Sequence, residues 1–242
     1  MRWSESRLAE RRSSCARVCR SAQLDDGAPE RCELIRVAIS PLSYTACLEG
    51  LPVTMKLLGL SGSTVGRTTR KAMDAMMEAI RDEDPSIELQ LIDLAELDLK
   101  FTDGRHISEY KDDAKTVTEA VMAADAIIIG TPIFQASIPA ALKNIFDLLP
   151  DDAFHDTTVG ILVTAGSAKH YLVADYQLRP ILTYMKAQIA PGYVFIESKD
   201  MHHGKIVSDD VTWRIQQLAM NTVEMTKTLF EMRRKREARS FL

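Results

Sequence analysis

The sequence predicts an α/β protein built on a five-stranded parallel sheet, in the order 2-1-3-4-5, with helices on both faces. Three observations carry this. From Met55 onward, five short apolar runs alternate with five segments whose apolar residues recur every three or four positions. The central run, Ala126–Gly130, is apolar throughout, as in a strand covered on both faces. Five strands fit the shorter of the two common doubly wound orders.

The elements follow in order. Lys56–Leu60 is a short apolar run stopped by Ser61-Gly62-Ser63, which predicts the first strand. Ala72, Met73, Met76, Met77 and Ile80 lie at helical spacing, predicting a helix over Thr68–Arg81 that Asp84-Pro85 ends. Ile87, Leu89 and Leu91 alternate as the second strand, and Ala114, Val117, Val121 and Ala124 mark the second helix. After the third strand, Ile138, Ala141, Leu142, Ile145, Phe146 and Leu149 mark the third helix, and Val159–Val163 is the fourth strand. Leu172, Tyr176, Ile181, Leu182 and Met185 predict a fourth helix kinked at Pro180. Gly192–Ile196 is the fifth strand, and Val211, Ile215, Leu218, Thr222, Met225, Leu229 and Met232 form one face of a long last helix.

Composition divides the 242 residues near Met55. Residues 1–54 hold all four cysteines (Cys15, Cys19, Cys32 and Cys47), eight Arg, no Lys and seven acids, a balance of +1. No period is sustained there, and no signal-peptide core is present. The acids oppose a transit peptide, and the cysteine spacing, without a tight pair or a nearby His, opposes zinc. Residues 1–54 are expected to be a disordered extension, from a start assigned upstream of the true one at Met55. The domain proper is 55–232, with a basic tail at 233–242. The rest of the chain carries −5 and no cysteine. A mildly acidic chain does not fit general nucleic-acid binding, and no apolar run suffices to span a bilayer. The expected location is the cytoplasm.

Ligands of such sheets bind beyond the carboxyl ends of the strands, at the point where strand order reverses. Three loops lie there. Ser61-Gly62-Ser63-Thr64-Val65-Gly66-Arg67-Thr68-Thr69 opens a helix with two glycines, several hydroxyls and one cation, the chemistry of a phosphate seat. It matches neither the Walker pattern nor the dinucleotide fingerprint. Thr131-Pro132-Ile133-Phe134-Gln135-Ala136-Ser137-Ile138-Pro139 offers apolar side chains to a planar ring. Thr164-Ala165-Gly166-Ser167-Ala168-Lys169-His170 is small and polar, so its backbone can approach a ligand. Each loop taken alone also reads as an ordinary strand-to-helix connection. Together a phosphate end, an apolar wall and a polar edge describe a flavin mononucleotide site.

On these residues the chain resembles the NADPH-dependent FMN reductases of the flavodoxin-like fold, especially the alkanesulfonate-type branch that feeds reduced flavin to monooxygenases. The resemblance rests on Leu60–Ser63, on Gly130–Asn144 with Asp147–Pro150, and on His170–Leu182. It implies that Ser63, Arg67, Thr68 and Thr69 hold the FMN phosphate. Pro132, Ile133, Phe134 and Ser137 would line the ring, and Thr164, Gly166 and Ser167 would meet its polar edge. Phe134 stands where the family often carries Tyr, and Arg67 lies further from the first Ser than is usual. Tyr176 matches a Tyr of an irregular helix near the subunit interface, linked to flavin exchange; it also reads as a core Tyr. The resemblance implies a homodimer or homotetramer, with a flavin-dependent monooxygenase as partner.

Hydride transfer from NADPH to flavin asks no side chain to act as acid or base, so no catalytic residue is expected. A hydrolase elbow and a cysteine nucleophile are absent from residues 55–242. His202-His203 lies in the polar stretch 197–210, read as a solvated loop and not a metal site. Three rivals remain: a quinone, azo or chromate reductase with bound FMN, a non-enzymatic flavodoxin-like electron carrier, and a regulatory or scaffold protein that has lost flavin binding.

Overall fold

A computed structural model describes residues 54–239. The expectations for the amino-terminal extension, its cysteines and its start lie outside the described residues, as do residues 240–242. The elements are β1 Lys56–Ser61, α1 Thr68–Glu83, β2 Glu88–Asp93, α2 Asp113–Ala123, β3 Ala126–Pro132, α3 Ala140–Leu148, β4 Thr158–Ala165 and α4 Arg179–Tyr184. Then come β5 Gln188–Ile189, β6 Val194–Glu197, β7 Met201–His202, β8 Lys205–Ile206 and α5 Asp209–Arg239. The main sheet is parallel, in the predicted order β2-β1-β3-β4-β5, with β6 also pairing β4.

Chain direction explains the layers. The step from β1 to β2 and the step from β2 to β3 run opposite ways along the sheet, so right-handed crossovers place α1 and α2 on opposite faces. On one face, Met73, Met76, Met77 and Ile80 of α1 and Val211, Ile215, Leu218 and Val223 of α5 enclose Leu57, Ile128 and Leu162. The alternate strand residues Leu58, Leu60, Ile127, Ile129, Ile161 and Val163 are buried on the other face. The close approach of α1 needs Gly130, where a Cβ would lie 2.5 Å from the Met73 sulfur.

Three expectations are revised. The fifth strand is in two pieces, interrupted at Pro191, which has no N–H to donate, and Gly192, at φ +72°. The fourth helix is not one helix kinked at Pro180. A 3-10 turn, Ala168–His170, and a π-helical turn, Ala174–Leu178, precede α4, and Pro180 sits in the first turn of α4. Proline cannot donate to the preceding turn, and the wider winding falls immediately before it. The stretch 197–210 is not a plain loop, because β7 and β8 form a hairpin turning at His203 (φ 49°) and Gly204 (φ 76°). Residues 233–239, the first part of the basic tail, lie within α5. Arg233 pairs there with buried Asp125, whose other oxygen accepts the Lys56 N–H at 3.0 Å. Among the described residues no helix is long and apolar enough to cross a membrane.

Candidate functional site

The ends of β1, β3 and β4 lie side by side, with Ser61 opposite Gly130 and Pro132 opposite Thr164. Backbone bonds then join their loops. The Gly62 N–H donates to the Gly130 carbonyl at 2.7 Å, and the Ile133 N–H donates to the Thr164 carbonyl at 3.2 Å. The three loops picked out in the sequence therefore form one continuous rim.

In the first loop, Ser63 is buried and its hydroxyl donates to the Val65 carbonyl at 2.7 Å, so it shapes the turn from within. Thr64 through Thr68 are exposed. Gly66 has φ +77° and open space where a Cβ would stand. Arg67 is the residue before α1, and no side chain caps that helix and no acid lies in its first turn. The first helical N–H groups precede the first helical bond, that of Lys71 to the Arg67 carbonyl at 2.9 Å, and face outward with the positive end of the helix dipole. Thr69 turns inward, its hydroxyl 2.8 Å from that of Thr164, both buried. These two predicted contacts are thus each other's partners.

In the second loop, Phe134 and Ser137 exchange two backbone hydrogen bonds of 3.0 Å across a two-residue turn. The turn residues Gln135 (φ 48°) and Ala136 (φ 58°) hold left-handed backbone without being glycine. That conformation costs free energy and fixes the turn tightly. Pro132 is buried, Ile133 half-buried, and Phe134 is 41% exposed at the rim.

In the third loop, Gly166 is exposed with open space at its Cα, and Ser167 is half-buried. Sequence reasoning missed the residues that hold this loop. Glu197, at the end of β6, accepts the Ala168 N–H at 2.8 Å and pairs with Lys199 at 2.6 Å, which holds its carboxyl below the usual range. Tyr193 donates to the Tyr171 carbonyl at 2.7 Å and contacts Asp175 at 3.3 Å. Gln177 reaches from the π turn toward the Ser137 hydroxyl at a long 3.5 Å. A polar residue one strand away gives no local sequence signal for such contacts. Tyr176, in the π turn, is 72% exposed, which removes its reading as a core residue.

His202 and His203 are exposed, their rings 4.2 Å apart on the hairpin.

The sequence model for NADPH-dependent FMN reductases matches residues 55–201. An NAD(P)H-dependent FAD/FMN reductase of Geobacillus thermodenitrificans is 39% identical over 172 residues, 71% of this chain and 93% of that protein. The NADH-dependent FMN reductase SfnE of Pseudomonas putida is 29% identical, over 71% of this chain and 92% of its own. A solved oxidoreductase of Corynebacterium diphtheriae superposes with a TM-score of 0.62 at 27% identity, covering 73% of this chain and 99% of its own.

Proposed function

The chain belongs to the NADPH-dependent FMN reductase family, and from that premise we propose that it passes hydride from NADPH to FMN and releases the reduced flavin to a monooxygenase. The observation that carries the reading is the continuous rim: an uncapped helix start, an apolar turn and an open glycine, joined by direct hydrogen bonds.

The residues fit FMN. The α1 terminus has neither a side-chain cap nor a nearby acid, so it suits a phosphate dianion. Thr68, Arg67 and the first N–H groups of α1 would hold that phosphate, while Ser63 holds the loop in shape. Thr69 would contribute its backbone, its hydroxyl being paired with Thr164. Pro132, Ile133, Phe134 and Ser137 would wall the ring. The open backbone at Gly166, flanked by Thr164 and Ser167, would meet its polar edge. Bound flavin supplies the hydride acceptor, and the chain's own part is to bind and orient the two reactants.

The same proposal includes a homodimer or homotetramer. A groove of about 540 Å³ between α3 and α4 is lined by Phe146, Leu149, Pro180, Ile181 and Met185. Tyr176 and Tyr184 stand exposed on the same stretch of chain. A second copy covering these side chains would bury them. Sedimentation decides it.

The decisive assay follows NADPH oxidation with and without added FMN, after the visible spectrum is recorded. Colourless protein whose turnover depends on added FMN supports the proposal. Yellow protein that ignores FMN but reduces a quinone overturns it.

A further inference from the structure

Beside the phosphate loop lies a group of basic side chains that the flavin site leaves unused. The β7–β8 hairpin turns at His203 and Gly204, and this turn rests on α1. A Cβ built on Gly204 would stand 3.8–3.9 Å from the Cε, Cδ and Cγ atoms of Lys71. Lys71 lies one turn into α1, its N–H bonded to the Arg67 carbonyl. Its aliphatic stem therefore runs along the hairpin turn, one helical turn from the loop that faces the flavin phosphate.

The hairpin adds its own groups at this place. His202 pairs with Lys205 across the strands, and the His202 and His203 rings meet edge to face at 66°. Lys71, His202, His203 and Lys205 are all exposed. Among the described residues, none of the four has a carboxylate within ion-pair distance. The acids nearby in sequence are engaged elsewhere: Glu197 with Lys199 and the Ala168 N–H, Asp200 with the Glu197 N–H, and Asp210 with Arg214. Asp209 opens α5, where the helix dipole favours it.

Two ammonium groups without a carboxylate partner, beside two imidazole rings that can share hydrogen bonds, suit a phosphate monoester rather than a neutral hydroxyl. We propose that Lys71, His202, His203 and Lys205 form the seat for the 2′-phosphate of NADPH, and that this seat makes the chain prefer NADPH to NADH. NADH carries only a ribose hydroxyl at that position, so it gains little from the two ammonium groups. The inference rests on the reductase reading, within which the family description names NADPH and the relative SfnE is named for NADH.

The test uses the full chain and its Lys71→Ala/Lys205→Ala double variant, with circular dichroism confirming that both fold. Calorimetry compares adenosine 2′,5′-bisphosphate with adenosine 5′-monophosphate. The wild type is expected to bind the bisphosphate about ten-fold tighter, and the double variant to lose that preference. The ratio of kcat/KM for NADPH to that for NADH should fall about ten-fold in step, and Lys71→Arg/Lys205→Arg should restore much of it. Equal binding of the two nucleotides by the wild type overturns the inference, as does a preference that survives in the double variant. So does a change confined to the KM for FMN, which would assign Lys71 to the flavin phosphate. If neither nicotinamide is oxidised with FMN, the reductase reading fails, and the calorimetry still decides the phosphate seat.

Discussion

The hydroxyls of Thr69 and Thr164 lie 2.8 Å apart, although 95 residues separate them in the chain. Both are buried. The bond joins the first turn of α1 to the end of β4, so the first and third loops of the rim are held together. One of the two hydroxyls donates and the other accepts, so the accepting one keeps its own O–H for a further partner.

Removing one partner leaves the other buried and unsatisfied. Thr69→Val should therefore destabilise the fold by about 1–3 kcal/mol in urea titrations, and Thr164→Val by a similar amount. The double variant should cost less than the sum, because no orphaned hydroxyl remains. Additive losses would show that the bond contributes nothing. The KM for FMN should rise in both single variants, as the two loops lose their shared anchor.

The turn at Gln135 and Ala136 stores strain that a glycine would relieve. Ala136, at φ 58°, is exposed, so Ala136→Gly removes no packing. Relief of the left-handed penalty, about 1 kcal/mol, should outweigh the extra entropy of the unfolded chain. A small rise in Tm is expected, with weaker flavin binding if the stiff turn is what aligns Phe134. A fall in Tm would show that the turn is not strained.

Most of the fold was legible because the chain buries its central strands, β1, β3 and β4, on both faces. Ala126–Gly130 has no polar residue to blur it, and the methionines of α1 repeat cleanly. The three loops were legible because strand order places them together. The bonds between them were not, since Thr69 and Thr164, or Glu197 and Ala168, carry no local pattern that pairs them. The hairpin at 201–206 hid for a different reason: its two-residue strands are too short to show a period. The π turn left no mark in the sequence around Tyr176 beyond Pro180, which pointed one turn too late.

Acid stability should depend on Asp84. The Lys227 ammonium, followed by the Ser86 hydroxyl and amide, lowers its carboxyl from 3.8 to about 2, and this pair pins the end of α1 to α5. A depressed carboxyl contributes its stability above the unfolded value and loses it as pH falls through the folded one. The contribution should be complete above about pH 4–5 and vanish between there and about pH 2. Lys227→Ala should flatten the stability curve across that window and leave its shape above pH 6 unchanged. A curve parallel to the wild type throughout would show that the pair is not formed in solution.

The brace around the π turn yields the last expectation. Tyr193 donates to the Tyr171 carbonyl, Asp175 pairs with Arg179 at 2.9 Å, and Arg179 donates to the Gly192 carbonyl at 3.2 Å. Burial, with Tyr171 and Asp175 close by, raises the Tyr193 phenol above its usual value, so it remains a donor at working pH. Tyr193→Phe keeps the ring stacked on Tyr171, 5.1 Å away, and deletes only the hydroxyl. The global cost should be about 1 kcal/mol. Hydrogen exchange should quicken locally over residues 171–178, and FMN should dissociate faster in stopped flow, because Gln177 and the Ser137 wall lose their common support. Faster exchange spread evenly over the sheet would mean that the hydroxyl serves the fold as a whole; unchanged FMN release would separate the π turn from flavin binding.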